Sequence, residues 1–181
     1  MEYIENRTYD EIRIGDCASV VRTLRLEDIQ LFAAMSGDIN PAHLDPEYAK
    51  SGMFQEVIAH GMWGGALISS VLGTQLPGPG TIYVDQSLHF SRPVTLGDTI
   101  TVTVTVTGKF EHHHHVTFDC KCINQNNLVV MSGTAEVMAP REKIRRPRAA
   151  PPEVRVTDKT SHYRRLIAMA EAPAPIPMAV V

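Results

Sequence analysis

Asp38 and His43 stand five positions apart in the stretch Phe32 to Ala49, which reads FAAMSGDINPAHLDPEYA. A carboxylate and an imidazole that meet on one small molecule can orient a water, remove one of its protons and return a proton elsewhere, which is general acid and base work. No nucleophilic serine is needed for it. The residues between them dictate a sharp turn. Pro41 fixes its own φ and pushes Asn40 out of the helical region, so a helix arriving over Leu26 to Met35 must stop. Gly37 supplies a left-handed exit, Asn40 closes an Asx-type turn, and Asp45-Pro46 reads as an N-cap followed by proline at the first helical position. Asp38 and His43 then occupy the two arms of the turn, free to converge. An isolated Asp-x-Asn-Pro-x-His string is more often plain turn chemistry, with the aspartate as a cap, so the weight must come from the rest of the chain.

The elements that position this turn read as antiparallel α+β. Thr99 to Thr107, TITVTVTVT, alternates with period two, which puts Ile100 and the valines on one face and the threonines on the other. Ile82 to Phe90, His114 to Asn124 and Leu128 to Met138 are further strands, and Cys17 to Leu24 joins the same sheet. Gln125-Asn126-Asn127 makes a hairpin of the third and fourth, since asparagine tolerates left-handed conformations. Between the strands, Met62 to Gln75 has the length and apolar character of a mostly buried helix, in which Gly64, Gly65 and Gly73 mark close packing.

Over its full length the Phe32 to Ala49 stretch resembles the signature of the MaoC-like, (R)-specific enoyl-CoA hydratases. Phe32, Ser36, Gly37, Asp38, Asn40, Pro41, His43 and Ala49 fall in register with it, and the likeness continues through IAHGMWGGALISSVLGTQLPGPGTIYVDQSLHFSRPVTLGDTITVTVTV to cover roughly Tyr9 to Met138. The resemblance implies a hot-dog fold, an antiparallel sheet wrapped around one long helix. It also implies an activity, the reversible hydration of trans-2-enoyl-CoA to (R)-3-hydroxyacyl-CoA, with Asp38 and His43 catalytic. Gly61 is its implied thioester-binding amide, at a helix start whose N–H groups and dipole favour negative charge. Ser69 is a second implied substrate-binding residue, against the equal alternative of a hydroxyl bonded to its own helix. His60 reads as structural. No cofactor is expected, because coenzyme A belongs to the substrate. A homodimer is implied, with Met53, Phe54 and Trp63 able to shorten the acyl pocket. Two other readings compete: a hot-dog acyl-CoA thioesterase, and a non-catalytic oligomerisation domain.

Composition agrees with a domain that can bury a core, at 44% hydrophobic over 181 residues. Residues 1–139 hold 8 Lys+Arg against 16 Asp+Glu, whereas residues 140–181 hold 9 against 4, which divides the chain into a hydratase domain and a basic, proline-rich linker. The linker, with a short helix over Ser161 to Glu171 and an apolar end at Pro177 to Val181, resembles the junction to a phosphate acetyltransferase domain in bifunctional proteins. Its basic cluster, from Arg141 to Arg148, reads as a solvated spacer rather than a nucleic-acid contact. The apolar stretch over Gly61 to Leu76 is too short for a bilayer, which points to a cytoplasmic protein. Cys17, Cys120 and Cys122 match neither a redox nor a zinc spacing and read as reduced thiols. His112 to His115 resemble a metal tract, but strand alternation would send neighbours to opposite faces, so no metal site is expected.

Overall fold

A computed structural model describes residues 2–155 of the chain. Five strands form one antiparallel sheet in the order β2 (Cys17–Thr23), β4 (Thr99–Phe110), β5 (His115–Ile123), β6 (Val129–Met138), β3 (Ile82–Phe90). The period-two reading holds in β4, where Ile100, Val102, Val104 and Val106 are each at most 1% exposed. They meet Val116, Phe118, Cys120 and Cys122 of β5 on the same face. Helix α4 (Gly61–Thr74) lies against that face and buries Trp63, Ile68, Val71 and Leu72 in it. The close approach expected of its glycines holds at Gly64, where a Cβ would stand 2.8 Å from Met131 Cε, and at Gly65, 3.1 Å from Met62 Cε, whereas Gly73 has nothing within 4 Å and does not mark close packing. The hairpin between β5 and β6 closes through Asn124, whose side-chain oxygen accepts from the N–H groups of Asn126 and Leu128, with Asn127 left-handed at φ 58°.

Two further expectations are corrected. His112–His114 form a tight 3-10 turn rather than a strand, with His113 and His114 both left-handed, so strand alternation does not govern them. Their rings pack locally: His112 on His113, and His114 edge-on to Tyr9. His115 opens β5 and bonds Glu136.

The second correction concerns the boundary at residue 139, since the compact unit runs over Met1–Ala150. Lys143, Arg145 and Arg148 of the basic segment pair with acidic residues of the N-terminal segment while remaining partly exposed. β7 (Arg145–Pro147) pairs antiparallel with β1 (Tyr3–Glu5), and the Lys143 ammonium reaches Glu11 at 2.8 Å and Glu5 at 3.2 Å. That contact holds the Glu11 carboxyl below its usual range. Buried Asn6 donates to the Glu142 carbonyl and accepts from the Ile144 N–H, so the clasp is satisfied inside as well as outside. The other unit spans Pro151–Val181, and the helix and apolar end expected there lie outside the described residues.

Candidate active site

The turn forms as its residue types require. Helix α1 (Leu26–Ser36) ends on Gly37 in the left-handed region, φ 77°, where a side chain would be strained. Ser36 Oγ donates to the Phe32 carbonyl and accepts the Asp38 N–H, while Asp38 Oδ1 accepts the Asn40 N–H at 3.2 Å. Asn40 caps α2 (Pro41–Leu44) by accepting the Ala42 N–H. Asp45 caps α3 (Pro46–Ser51) by accepting from Glu47 and Tyr48. Each of the short helices therefore starts on an Asx cap followed by proline.

His43 is buried and its tautomer is fixed. Nδ1 lies 2.8 Å from the Ile58 carbonyl, which can only accept, so Nδ1 carries a proton and, in the neutral ring, Nε2 keeps a free lone pair. Ile58 is itself clipped, its N–H bonding the Ala42 carbonyl, and the next N–H, of Ala59, bonds the Val94 carbonyl. His60 lies beside them at 3% exposure, its ring 3.9 Å from that of His43 and 4.8 Å from that of Phe32. Its Nε2 donates to the Asp38 carbonyl at 3.0 Å, which ties the start of α4 to the turn.

The two predicted catalytic side chains do converge. One carboxylate oxygen of Asp38 and one ring nitrogen each of His43 and His60 lie within 4.8 Å of one another. A single water bonded to two groups at ordinary hydrogen-bond lengths spans about 4.5 Å between them, so groups this close can share one water. The same three groups could also ligate a cation. His43 Nδ1 and His60 Nε2 are committed to carbonyls, which leaves one lone pair per ring for such a purpose.

His43 and His60 form part of the wall of a cavity of about 290 Å³. Gly61, the first residue of α4, also lines it, and its N–H has no carbonyl one helical turn back to bond. The remaining wall is mainly apolar and includes Phe54, Trp63, Ile100, Cys122 and Met131. Burial pushes the Cys122 thiol up to about 12, so it sits in the wall as a neutral, apolar group. Asp38 is exposed and is not among the lining residues.

Two expectations are displaced. Met53, read as a pocket-shortening residue, is 86% exposed and stands outside the wall. Ser69 is exposed and lines a separate groove with Phe32, Met62, Gly65, Ala66, Tyr83, Gln86 and Leu88, so one chain does not bring it into the cavity of His43. Sequence reasoning also missed the Ser91–Val94 segment as cavity wall; the Arg92-Pro93 pair at the end of β3 was its only signal.

An antiparallel sheet packed on one long helix, with an acid–imidazole turn at the start of that helix, defines a hot-dog protein of the hydratase type. The chain belongs to the MaoC-like family: residues 17–125 match the family described as MaoC like domain. It is 49% identical over 132 residues to an (R)-specific enoyl-CoA hydratase of Rhodospirillum rubrum, a match covering 73% of this chain and 91% of that one. A 3-hydroxybutyryl-CoA dehydratase of Methylorubrum extorquens is 35% identical, over 75% of this chain and 85% of its own. Among solved structures, the unliganded R-hydratase PhaJ1 from Pseudomonas aeruginosa superposes with a TM-score of 0.82 at 44% identity, covering 86% of this chain and all of that one.

Proposed function

We infer that the chain is a hydro-lyase that adds water across the trans-2 double bond of an acyl-CoA and gives the (R)-3-hydroxyacyl-CoA. The observation that carries the reading is the meeting of Asp38 and His43 within a water's span, beside the cavity onto which α4 opens. Relatives of high identity that bear the hydratase and dehydratase names support it.

In this reading Asp38 and the lone pair of His43 Nε2 hold the reacting water between them. As its oxygen bonds to C3, the pair takes one water proton, and the π electrons move through C2 towards the thioester carbonyl. The Gly61 N–H and the positive end of α4 stabilise the charge that builds on that carbonyl oxygen, more in the transition state than before it. The pair then delivers a proton to C2, so the water is consumed as hydroxyl at C3 and hydrogen at C2. The acyl chain occupies the cavity, where Phe54 and Trp63 limit its length.

The proposal includes a homodimer. Support comes from the outer edge of β3, which has no strand beside it among the described residues, and from the groove around Ser69, lined by exposed Met62 and Tyr83. A second copy would cover both, which mass measurement in solution tests. A cytoplasmic setting, from the short Gly61 to Leu76 apolar stretch, and a fused phosphate acyltransferase, from sequence resemblance, also belong to the proposal.

The test is a series of trans-2-enoyl-CoAs of increasing length, followed by loss of the enoyl absorbance with chiral analysis of the product. Formation of (R)-3-hydroxyacyl-CoA is expected. Release of free thiol without loss of the double bond would mark a thioesterase, and no turnover at any length would leave a binding or oligomerisation domain.

A further inference from the structure

His60 adjoins every part of the proposed machinery. Its backbone is the N-cap of α4, with φ −58° and ψ 132°, so it sets where the Gly61 N–H points. The side-chain Nε2–H bonds the carbonyl of Asp38, the residue that presents the carboxylate. The ring packs between those of Phe32 and His43, 4.8 Å from one and 3.9 Å from the other. Its position therefore couples carboxylate, imidazole and thioester-binding amide through one rigid side chain.

The ring's own chemistry separates this from mere filling. Nδ1 of His60 is buried and meets no hydrogen-bond partner among the described residues. Burying an unpartnered acceptor is unfavourable, and a phenyl ring in the same stack would avoid it. What imidazole adds over phenyl is the N–H held by the Asp38 carbonyl. We propose that His60 is a positioning residue for hydration: its Nε2–H bond to Asp38 holds the carboxylate-bearing turn at the distance from His43 and Gly61 that the reaction needs. The proposal rests on the hydratase reading above and on no titration of His60.

Three variants of the full chain test it, with crotonyl-CoA as substrate. His60→Phe keeps the stacked ring and deletes the donor, His60→Gln keeps an amide N–H near the place of Nε2 without the ring, and His60→Leu keeps neither. Misplacing reacting groups by about 1 Å costs on the order of a hundredfold in rate. His60→Phe and His60→Leu should lose roughly ten- to a hundredfold in kcat with KM nearly unchanged, and His60→Gln should recover most of the loss. Butyryl-CoA, the saturated analogue, should bind all three with a Kd that rises far less than kcat falls. Wild-type kcat in His60→Phe would overturn the proposal, as would a His60→Gln loss as deep as that of His60→Leu; should His60→Leu fail to fold, the Phe and Gln pair still decides. An inactive wild type would sink the hydratase reading and this proposal with it, whereas an active wild type beside a fully active His60→Phe would sink this proposal alone.

Discussion

In the core, four side chains of β4 repeat one apolar face against α4, whereas the turn from Ser36 to His43 is held by single hydrogen bonds that occur once each. The core is redundant and the turn is not. Loss of one core side chain leaves the others to specify the same fold, so the cost falls on stability. Loss of one turn contact leaves the fold in place but moves a reacting group, so the cost falls on rate. The molecule keeps its structural and chemical demands on different residues, which is why each can be perturbed separately.

Three substitutions sharpen that contrast. The largest expected effect is in the core: Phe118, fully buried on β5, should cost about 3–5 kcal/mol of folding free energy when changed to Ala. Measured by denaturant unfolding, that loss should come with little change in KM for the folded fraction. A normal unfolding midpoint would break the comparison from the core side.

Next is the start of α4. Gly61→Pro deletes the N–H proposed to hold the thioester oxygen, at a helix position that accepts proline and after a residue, His60, already extended. The new Cβ would stand 3.0 Å from the Phe90 ring, so Gly61→Ala serves as the control, with the same contact and the amide intact. Kinetics on crotonyl-CoA should show the proline variant about a hundredfold or more below the alanine variant in kcat. Equal rates would remove the amide from the mechanism.

The smallest effect is electrostatic. Partial burial pushes the Asp98 carboxyl up, but the Thr95 backbone N–H, the Gln125 amide and the Thr95 hydroxyl outweigh it and hold the group below its ordinary value of 3.8. A carboxyl depressed on folding adds stability above its unfolded pKa and loses it as the pH falls through the folded one. Asp98→Asn should therefore be slightly less stable than wild type at pH 7, by less than about 1 kcal/mol given its exposure, with the gap closing below about pH 4. A gap that widens on acidification would reverse the sign of this contribution.

The same contrast explains what was legible in the sequence. Repetition made the core readable: alternation over Thr99 to Thr107 and the hairpin asparagines led directly to β4, β5 and β6. Proline and glycine made the turn readable, because Asn40-Pro41 and Asp45-Pro46 admit few backbone conformations and Gly37 admits the left-handed one that most residues avoid. Contacts made far along the chain left no such trace. The clasp of β1 and β7, with Lys143 between Glu5 and Glu11, joins charges more than 130 positions apart, so its basic half reads alone as a solvated linker. Ser69 fell on the far side of its helix from the cavity because family register names a position without naming the face or the subunit it serves. His112–His114 failed as a strand since a tight turn needs left-handed residues, and histidine offers no signal for them as glycine does.

The central claim is that Asp38 and His43 act as one unit on one water. Its most direct test is the rate of crotonyl-CoA hydration by Asp38→Asn, His43→Ala and the double variant, each checked for wild-type folding. Both single variants should fall by about a thousandfold or more, and the double variant should fall little further than the worse single, because a second loss removes nothing from a broken pair. Near-normal turnover in either single variant, or a double loss equal to the product of two independent losses, would contradict it.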